Sequence, residues 1–352
     1  MIVKNEEDHL ARCLQSVQHL VNEIIVVDTG STDNTKSIAR EFNANVYEFN
    51  WVDDFSKARN FSFKQATKDY IFWLDADDVL LEEEQQKLAS LKQNTVNQPD
   101  AISMVYVLAR DENNTVTHSV RRNRLVKRCN NFQWHGAVHE YLEVGGNILQ
   151  SDIQVTHLKE DTGISYRNLH IYETMIANGA EFSPRDLYYY ANECYDHEQF
   201  EKAVNAYKKF IDTEKGWVED IIAAYGKLAD CYISLNDSLA AIDALYQSFH
   251  YDIPRAENCC RLGYIYVHFR ELNQAIFWYE LATRLDYDSV KEKGGFVNSN
   301  CYTWLPHLQL CVCYDALQNH AKAYYHNSRA KEYNPTHEAI IHNDAYLKSK
   351  IE

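Results

Sequence analysis

Asp75-Ala76-Asp77-Asp78 follows the apolar run Tyr70-Ile71-Phe72-Trp73-Leu74. Alternation at the end of a strand turns Asp75 and Asp77 toward the same side. Two carboxylates so placed suit a hard divalent cation such as Mg²⁺ or Mn²⁺, which completes its oxygen shell with substrate phosphates. Glu82, Glu83 and Glu84, just beyond, read instead as a solvated helix start favoured by the helix dipole. Asp28 closes a second apolar run, Ile24-Ile25-Val26-Val27, ahead of Thr29-Gly30-Ser31. Its carboxylate can accept from a nucleobase imide or a ribose hydroxyl, or the segment is only a glycine turn and a helix cap. Trp134-His135-Gly136-Ala137-Val138-His139-Glu140 gathers two imidazoles and a carboxylate, types that ligate metals or remove a proton from an acceptor. Asp53-Asp54 is a weaker source of a base, or a cap for a helix starting near Phe55. Between Arg121 and Arg128 stand five cations, which either guard a sheet edge or attract phosphates or an acidic acceptor.

The elements that must hold these residues alternate. Leu10, Cys13, Leu14, Val17 and Leu20 recur at helical spacing, and Ile24 to Val27 reads as a buried strand. Ser31 to Asn34 supplies cap chemistry for a helix over about 35–42, and strands follow over 45–49 and 70–74. Strand, helix, strand, helix, strand predicts βαβ units, an α/β fold with a mainly parallel sheet. Ligands of such sheets sit at the carboxyl ends of the strands, where Asp28 and Asp75 both fall.

The second part of the chain repeats. Tyr190-Ala191, Cys194, Ala203, Tyr207 and Phe210 share their spacing with Leu228-Ala229, Tyr232, Ala241, Leu245 and Ser248. The same spacing returns in Leu262-Gly263, Tyr266, Ala275, Tyr279 and Ala282, and in Leu310-Cys311, Tyr314, Ala323, Asn327 and Ala330. Small residues at two fixed positions let two antiparallel helices approach closely, which is the tetratricopeptide pattern. An insertion, read as a loop over 291–300, separates the last two repeats.

Taken in order, Met1-Ile2-Val3-Lys4-Asn5-Glu6-Glu7, Val26 to Thr35, Asp54-Phe55-Ser56-Lys57-Ala58-Arg59-Asn60 and Trp73 to Asp78 resemble the motifs of family 2 glycosyltransferases with the GT-A fold. Trp134 to Glu140 resembles a late motif of the same group. Only Met1 and Ile2 stand ahead of Val3, where the family usually has several more residues. Catalytic domains of this family joined to C-terminal tetratricopeptide repeats form a recognised bacterial group, and the sublancin-type peptide S-glycosyltransferases are similar. The resemblance implies a Rossmann-like GT-A domain over 1–163 and, over 164–352, a linker helix with about four repeats forming an all-α superhelix. It implies a metal-dependent, inverting hexosyltransferase that uses a UDP-sugar of the glucose or N-acetylglucosamine type with Mn²⁺ or Mg²⁺. It places Val3 and Glu6 beside the nucleoside, Asp28 at the uracil, Arg59 near the diphosphate or donor sugar, and Asp75 and Asp77 at the ribose, metal and diphosphate. Glu140 is the expected base, and His135 or His139 the further metal ligand, with the order among the three open. A peptide or protein acceptor gripped by the repeats is expected. The alternatives are a polysaccharide or lipid acceptor, a scaffold whose nucleotide-sugar domain binds without reacting, and nucleotidyl transfer, disfavoured for want of an early Gly- and Arg-rich triphosphate loop.

Composition bounds these readings. The net charge of −16 disfavours broad nucleic-acid or anionic-membrane binding, and it divides evenly on either side of residue 163. Of 25 tyrosines, only Tyr47, Tyr70, Tyr106 and Tyr141 precede that point, as two architectures would produce. No apolar run approaches the ~18 residues of a membrane span, and the charged start does not read as a signal peptide. Nine cysteines without paired metal-ligand spacing read as reduced, buried thiols in a cytoplasmic setting. The aromatic-rich repeats also offer surface for self-association into a homo-oligomer.

Overall fold

The computed structural model describes residues 1–94, 98–110, 116–158, 165–295 and 297–351. The chain divides into two compact units, Met1–Asn178 and Gly179–Glu352. The boundary expected at 163/164 lies outside the described residues.

In chain order the first unit comprises β1 (Ile2–Val3), α1 (Leu10–Val17), β2 (Ile25–Asp28), α2 (Thr35–Glu41), β3 (Asn45–Glu48) and α3 (Phe55–Gln65). There follow β4 (Tyr70–Phe72), β5 (Asp78–Val79), α4 (Glu82–Asn94), β6 (Ala101–Arg110) and β7 (Val116–Lys127). It ends with β8 (Trp134–His135), β9 (Tyr141–Leu142), β10 (Ile148–His157) and α5 (Arg167–Ala177). β1, β2 and β3 form the expected parallel sheet, with Val3 opposite Asp28 and Asp28 opposite Glu48. That register brings the ends of the strands level, so the residues that follow them share one rim.

The strand at 70–72 joins a second sheet of order β4-β7-β6-β10-β5, in which only β6 and β10 are parallel. Long antiparallel pairing with β7 replaces a simple continuation of the βαβ series. Helix α1 packs on both sides: Leu10 and Leu14 bury against Val3, Val26 and Ala76, while Cys13 and Val17 bury against Leu74, Leu80 and Ile153. The cation run also differs from expectation. Arg124 is fully buried in β7 and Arg121 donates to the carbonyls of Ser103 and Ser151, so these two serve the sheet. Glu84 is buried rather than solvated, because its carboxylate accepts from the Gln154 amide at 2.7 Å and from Lys87 at 2.9 Å.

The second unit contains the hairpins α6 (Pro184–Asp196) with α7 (Phe200–Asp212), α8 (Val218–Ser234) with α9 (Ser238–Ser248), and α10 (Ala256–His268) with α11 (Leu272–Ala282). After α12 (Tyr287–Lys291) come α13 (Trp304–Ala316) with α14 (His320–Tyr333), and then α15 (Glu338–Ile351). The four hairpins coincide with the four repeats, and the paired small residues are buried in each, from Ala191 and Ala203 to Cys311 and Ala323. Successive repeats are tied by Lys227 to Asn192 at 2.9 Å, by the fork of Arg261 on Asp230 at 2.7–2.8 Å, and by the Tyr314 hydroxyl to Glu280 at 2.8 Å. The described residues between Lys291 and Ser299 form the expected loop, and α12 before it and a 3₁₀ turn at Ser299–Tyr302 after it bury Val290, Cys301 and Tyr302 in the core. All nine cysteines are free thiols and eight are buried. No helix among the described residues is long and apolar enough to cross a membrane.

Gly263 shows how close the helices come. A Cβ there would sit 2.6–2.7 Å from the ring of Tyr279, which is itself buried and cannot retreat. Gly263→Ala therefore loses more to overpacking than it gains in helix propensity, a net cost of about 2 kcal/mol. The melting temperature of this unit should fall by roughly 4–8 °C, and Tyr279→Leu in the same chain should recover part of it.

A second expectation concerns pH. His307 Nδ1 lies 3.0 Å from His326 Nδ1, so one ring must donate and the other accept. Burial, then His326 and Arg329, hold the His307 pKa down at about 4. The unfolded chain binds this proton more readily, so stability is full above the ordinary value of 6.5 and falls as pH drops toward 4. Thermal melts at pH 7.5 and 5 should show the loss, and His307→Gln should shrink it; an unchanged pH response in that variant would exclude His307 as the source.

Candidate active site

Asp54 caps α3 by accepting from the Lys57 amide at 3.0 Å. The helix then carries Arg59 and Asn60 on its second turn, and each fixes a distant segment. Asn60 exchanges two hydrogen bonds with the backbone of Trp134, at 2.8 and 2.9 Å, and so pins β8. Arg59 donates from Nε to Glu140 Oε1 at 2.6 Å and from Nη2 to Asp75 Oδ1 at 2.8 Å. Its guanidinium also lies over the rings of Trp134, at 4.7 Å, and Trp73, at 5.1 Å. Burial alone would lower its pKa, yet Asp75 and Glu140 raise it, so the site contains a permanent cation.

The loop after β8 turns sharply to bring Glu140 there. Gly136 has φ +95°, and a Cβ on it would meet the Val138 carbonyl oxygen at 3.2 Å. His139 takes the left-handed region at φ +49°, a strain of the kind that concentrates at functional sites. The Phe55 amide donates to the Ala137 carbonyl at 2.9 Å and ties this turn to the start of α3.

On the facing rim, the Asp75 amide donates to Asp78 Oδ2 at 2.9 Å, folding 75–78 into a turn. Asp78 is fully buried and paired with Arg124 at 2.9 Å, whose guanidinium lies 3.9 Å from the Trp73 centroid and 4.3 Å from that of Tyr106. His157 ends β10, with Nδ1 at 2.9 Å from the Tyr106 hydroxyl, 3.4 Å from Asp77 Oδ1 and 3.5 Å from Asp78 Oδ1. Hydrogen bonding to Asp77 and Asp78 raises the His157 pKa to about 9. Asp75 stays low: burial opposes ionisation, but Arg59 and Arg124 outweigh it. Glu6 is pushed up by burial first and then by Asp77.

Glu6, Arg59, Asp75, Asp77, His139, Glu140 and His157 wall a cavity of about 360 Å³ together with Val3, Lys4, Thr29, Trp51, Phe55, Val138, Arg167 and Asn168. Of the residues expected from sequence, Val3, Glu6, Arg59, Asp75, Asp77, His139 and Glu140 all line it. Asp28 and His135 are not among its lining residues. Both oxygens of Asp28 accept from the Ser31 amide, one also from Gly30, and the side chain is buried. His135 Nε2 meets Glu143 at 2.9 Å on the exposed side of β8.

The donor set that fits a cation is Asp77, Asp78 and His157, whose ligand atoms lie within 4.8 Å of one another. Asp78 Oδ1 is buried, and the nitrogen beside it, His157 Nδ1, stays at 3.5 Å, a separation that a shared cation would bridge. Two carboxylate oxygens and one imidazole suit Mn²⁺ or Mg²⁺ better than a soft metal. Asp75, expected beside Asp77, instead gives an oxygen to Arg59. No motif in the sequence singled out His157 or Arg167, and Arg124 stood out only as one of the cations between Arg121 and Arg128. Only the pattern Ile153-Gln154-Val155-Thr156-His157, an alternating strand ending in an imidazole, carried a signal for the first.

Residues 1–142 match the family described as Glycosyl transferase family 2, and the chain thus carries a family 2 glycosyltransferase domain ahead of a tetratricopeptide-like helical unit. A TPR repeat-containing protein of Synechococcus elongatus is 38% identical over 143 residues, 41% of this chain and 34% of that protein. The SPbeta prophage-derived glycosyltransferase SunS of Bacillus subtilis is 29% identical over 232 residues, 60% of this chain and 54% of the relative. The chain thus spans between a third and about half of the length of these curated relatives. Among solved structures, a thermophilic TPR protein of Thermus thermophilus aligns with 53% of this chain and 89% of its own, at 16% identity and a TM-score of 0.36.

The buried pair beneath the cavity gives a direct test. Arg124→Met leaves Asp78 charged and unpaired, which should cost about 3–5 kcal/mol in urea denaturation. A loss below about 1 kcal/mol would mean that the pair does not support this rim.

Proposed function

We propose that this protein moves a sugar of the glucose or N-acetylglucosamine type from a UDP-sugar to a peptide or protein side chain, with inversion at the anomeric carbon. The observation that carries the reading is the meeting, in one cavity, of the Asp77–His157 pair with the Arg59–Glu140 pair. Val3, Lys4 and Thr29, at the ends of the first two strands, form the wall for the nucleoside. Asp28 shapes that wall by holding the Gly30-Ser31 turn. Asp77 and His157, with the buried oxygen of Asp78, would hold Mn²⁺ or Mg²⁺, which when bound offsets diphosphate charge.

Glu140 takes the proton of the acceptor heteroatom, and Arg59 aims its carboxylate. The heteroatom bonds to the anomeric carbon as the bond from that carbon to the phosphate oxygen breaks. The electron pair leaves with UDP, and a single displacement inverts the centre. His139, on the same wall, is the other side chain placed to assist. The four helical hairpins and the resemblance to peptide S-glycosyltransferases support a peptide acceptor. The free thiols fit a reducing, cytoplasmic setting.

Release of UDP from a panel of UDP-sugars should require Mn²⁺ or Mg²⁺ and stop with EDTA. Asp77→Asn should lower turnover at least 100-fold with an unchanged melting temperature, and Glu140→Gln about 100- to 1,000-fold while UDP still binds. Normal turnover in Asp77→Asn would rule out the metal assignment. Metal-dependent UDP binding without release, with every acceptor tried, would favour a binding-only scaffold.

A further inference from the structure

We propose that Arg167 is the cation that receives the charge developing on the diphosphate as the donor sugar departs. The inference rests on reading the cavity as a nucleotide-sugar site and adds a residue beyond the family-matched segment.

The cavity wall carries four carboxylates, Glu6, Asp75, Asp77 and Glu140, against three fixed cations, Lys4, Arg59 and Arg167. Arg59 already directs Nε to Glu140 and Nη2 to Asp75, so its charge is shared between two carboxylates before any ligand arrives. Lys4 is an exposed ammonium on a flexible stem. Arg167 is exposed like Lys4, but its side chain is stacked in place. Among the described residues no carboxylate pairs with it, and its guanidinium is held over the ring of Phe55 at 4.7 Å. Phe55 in turn meets Trp51 edge-on at 4.8 Å, and the Trp51 indole N–H donates to Asp53 at 2.7 Å. The stack thus positions a planar fork at the cavity wall without using its donors.

A nucleotide-sugar gains one further negative charge on its diphosphate when the sugar leaves. Asp77 and His157 would hold a divalent cation, which would offset the charge already present in the ground state. The added charge appears only as the bond breaks, and a guanidinium with unused donors stabilises it selectively there. Arginine suits this role because its fork matches two phosphate oxygens at once.

The test compares UDP with uridine on the full chain in Mn²⁺. Arg167→Met keeps an apolar stem on Phe55 and removes the charge. It should weaken UDP binding about tenfold, leave uridine unchanged and lower donor turnover by at least as much, while Arg167→Lys recovers part of each. If Arg167→Met weakens neither ligand, or both by the same factor, the residue only packs against Phe55 and the proposal is wrong. A wild-type chain that binds neither ligand would overturn the donor reading itself, a result distinct from either outcome in the variant.

Discussion

The site is organised around one largely buried guanidinium. Arg59 joins an aspartate 16 residues away to a glutamate 81 residues away, and two tryptophan rings flank it. A charge taken this far out of water is tolerated only with partners on its donors, so three segments must arrive together for any of them to be stable. The helix that bears Arg59 is capped by Asp54, the turn at 75–78 is closed by Asp78, and the late loop is pinned by Asn60. Removing the clasp would leave two carboxylates facing each other across the cavity.

A second guanidinium works beneath the first. Arg124 neutralises Asp78 inside the sheet, lies against the same Trp73 and leaves one oxygen of Asp78 available toward His157. The two arginines separate the acidic residues into different roles. Asp75 and Glu140 are held by Arg59, Asp78 by Arg124, and Asp77 stands with His157 facing the cavity. In a chain with surplus negative charge, the buried carboxylates of this site are thereby paired with arginine, and Asp77 is left beside His157.

The helical unit is built on local rules. Its repeats bring together residues a dozen positions apart, so the small residues at Ala191 and Ala203, or Gly263 and Ala275, identify the hairpins without knowledge of the rest of the fold. The ties between repeats, such as Arg261 on Asp230, add charge pairs at each junction. The residues that flank the loop at 291–300, Val290, Cys301 and Tyr302, are scattered too thinly to show a period yet find cover in the core.

What the sequence determined by itself was local: strands read at 24–27, 45–49 and 70–74, the helices between them, the turn at Gly30, and the placement of Asp75 and Asp77 after an apolar strand. Those follow from periodicity and capping, which act over a few residues. It also identified Arg59, Glu140 and His139 through motifs, though without their geometry. Only the tertiary structure decided that Arg59 clasps Asp75 and Glu140, that His157 rather than His135 stands beside Asp77, and that Arg124 leaves the surface to pair with Asp78. The reason is sequence distance. His157 lies 80 positions from Asp77 and reaches it through the pairing of β10 with β5, a register that no local pattern encodes.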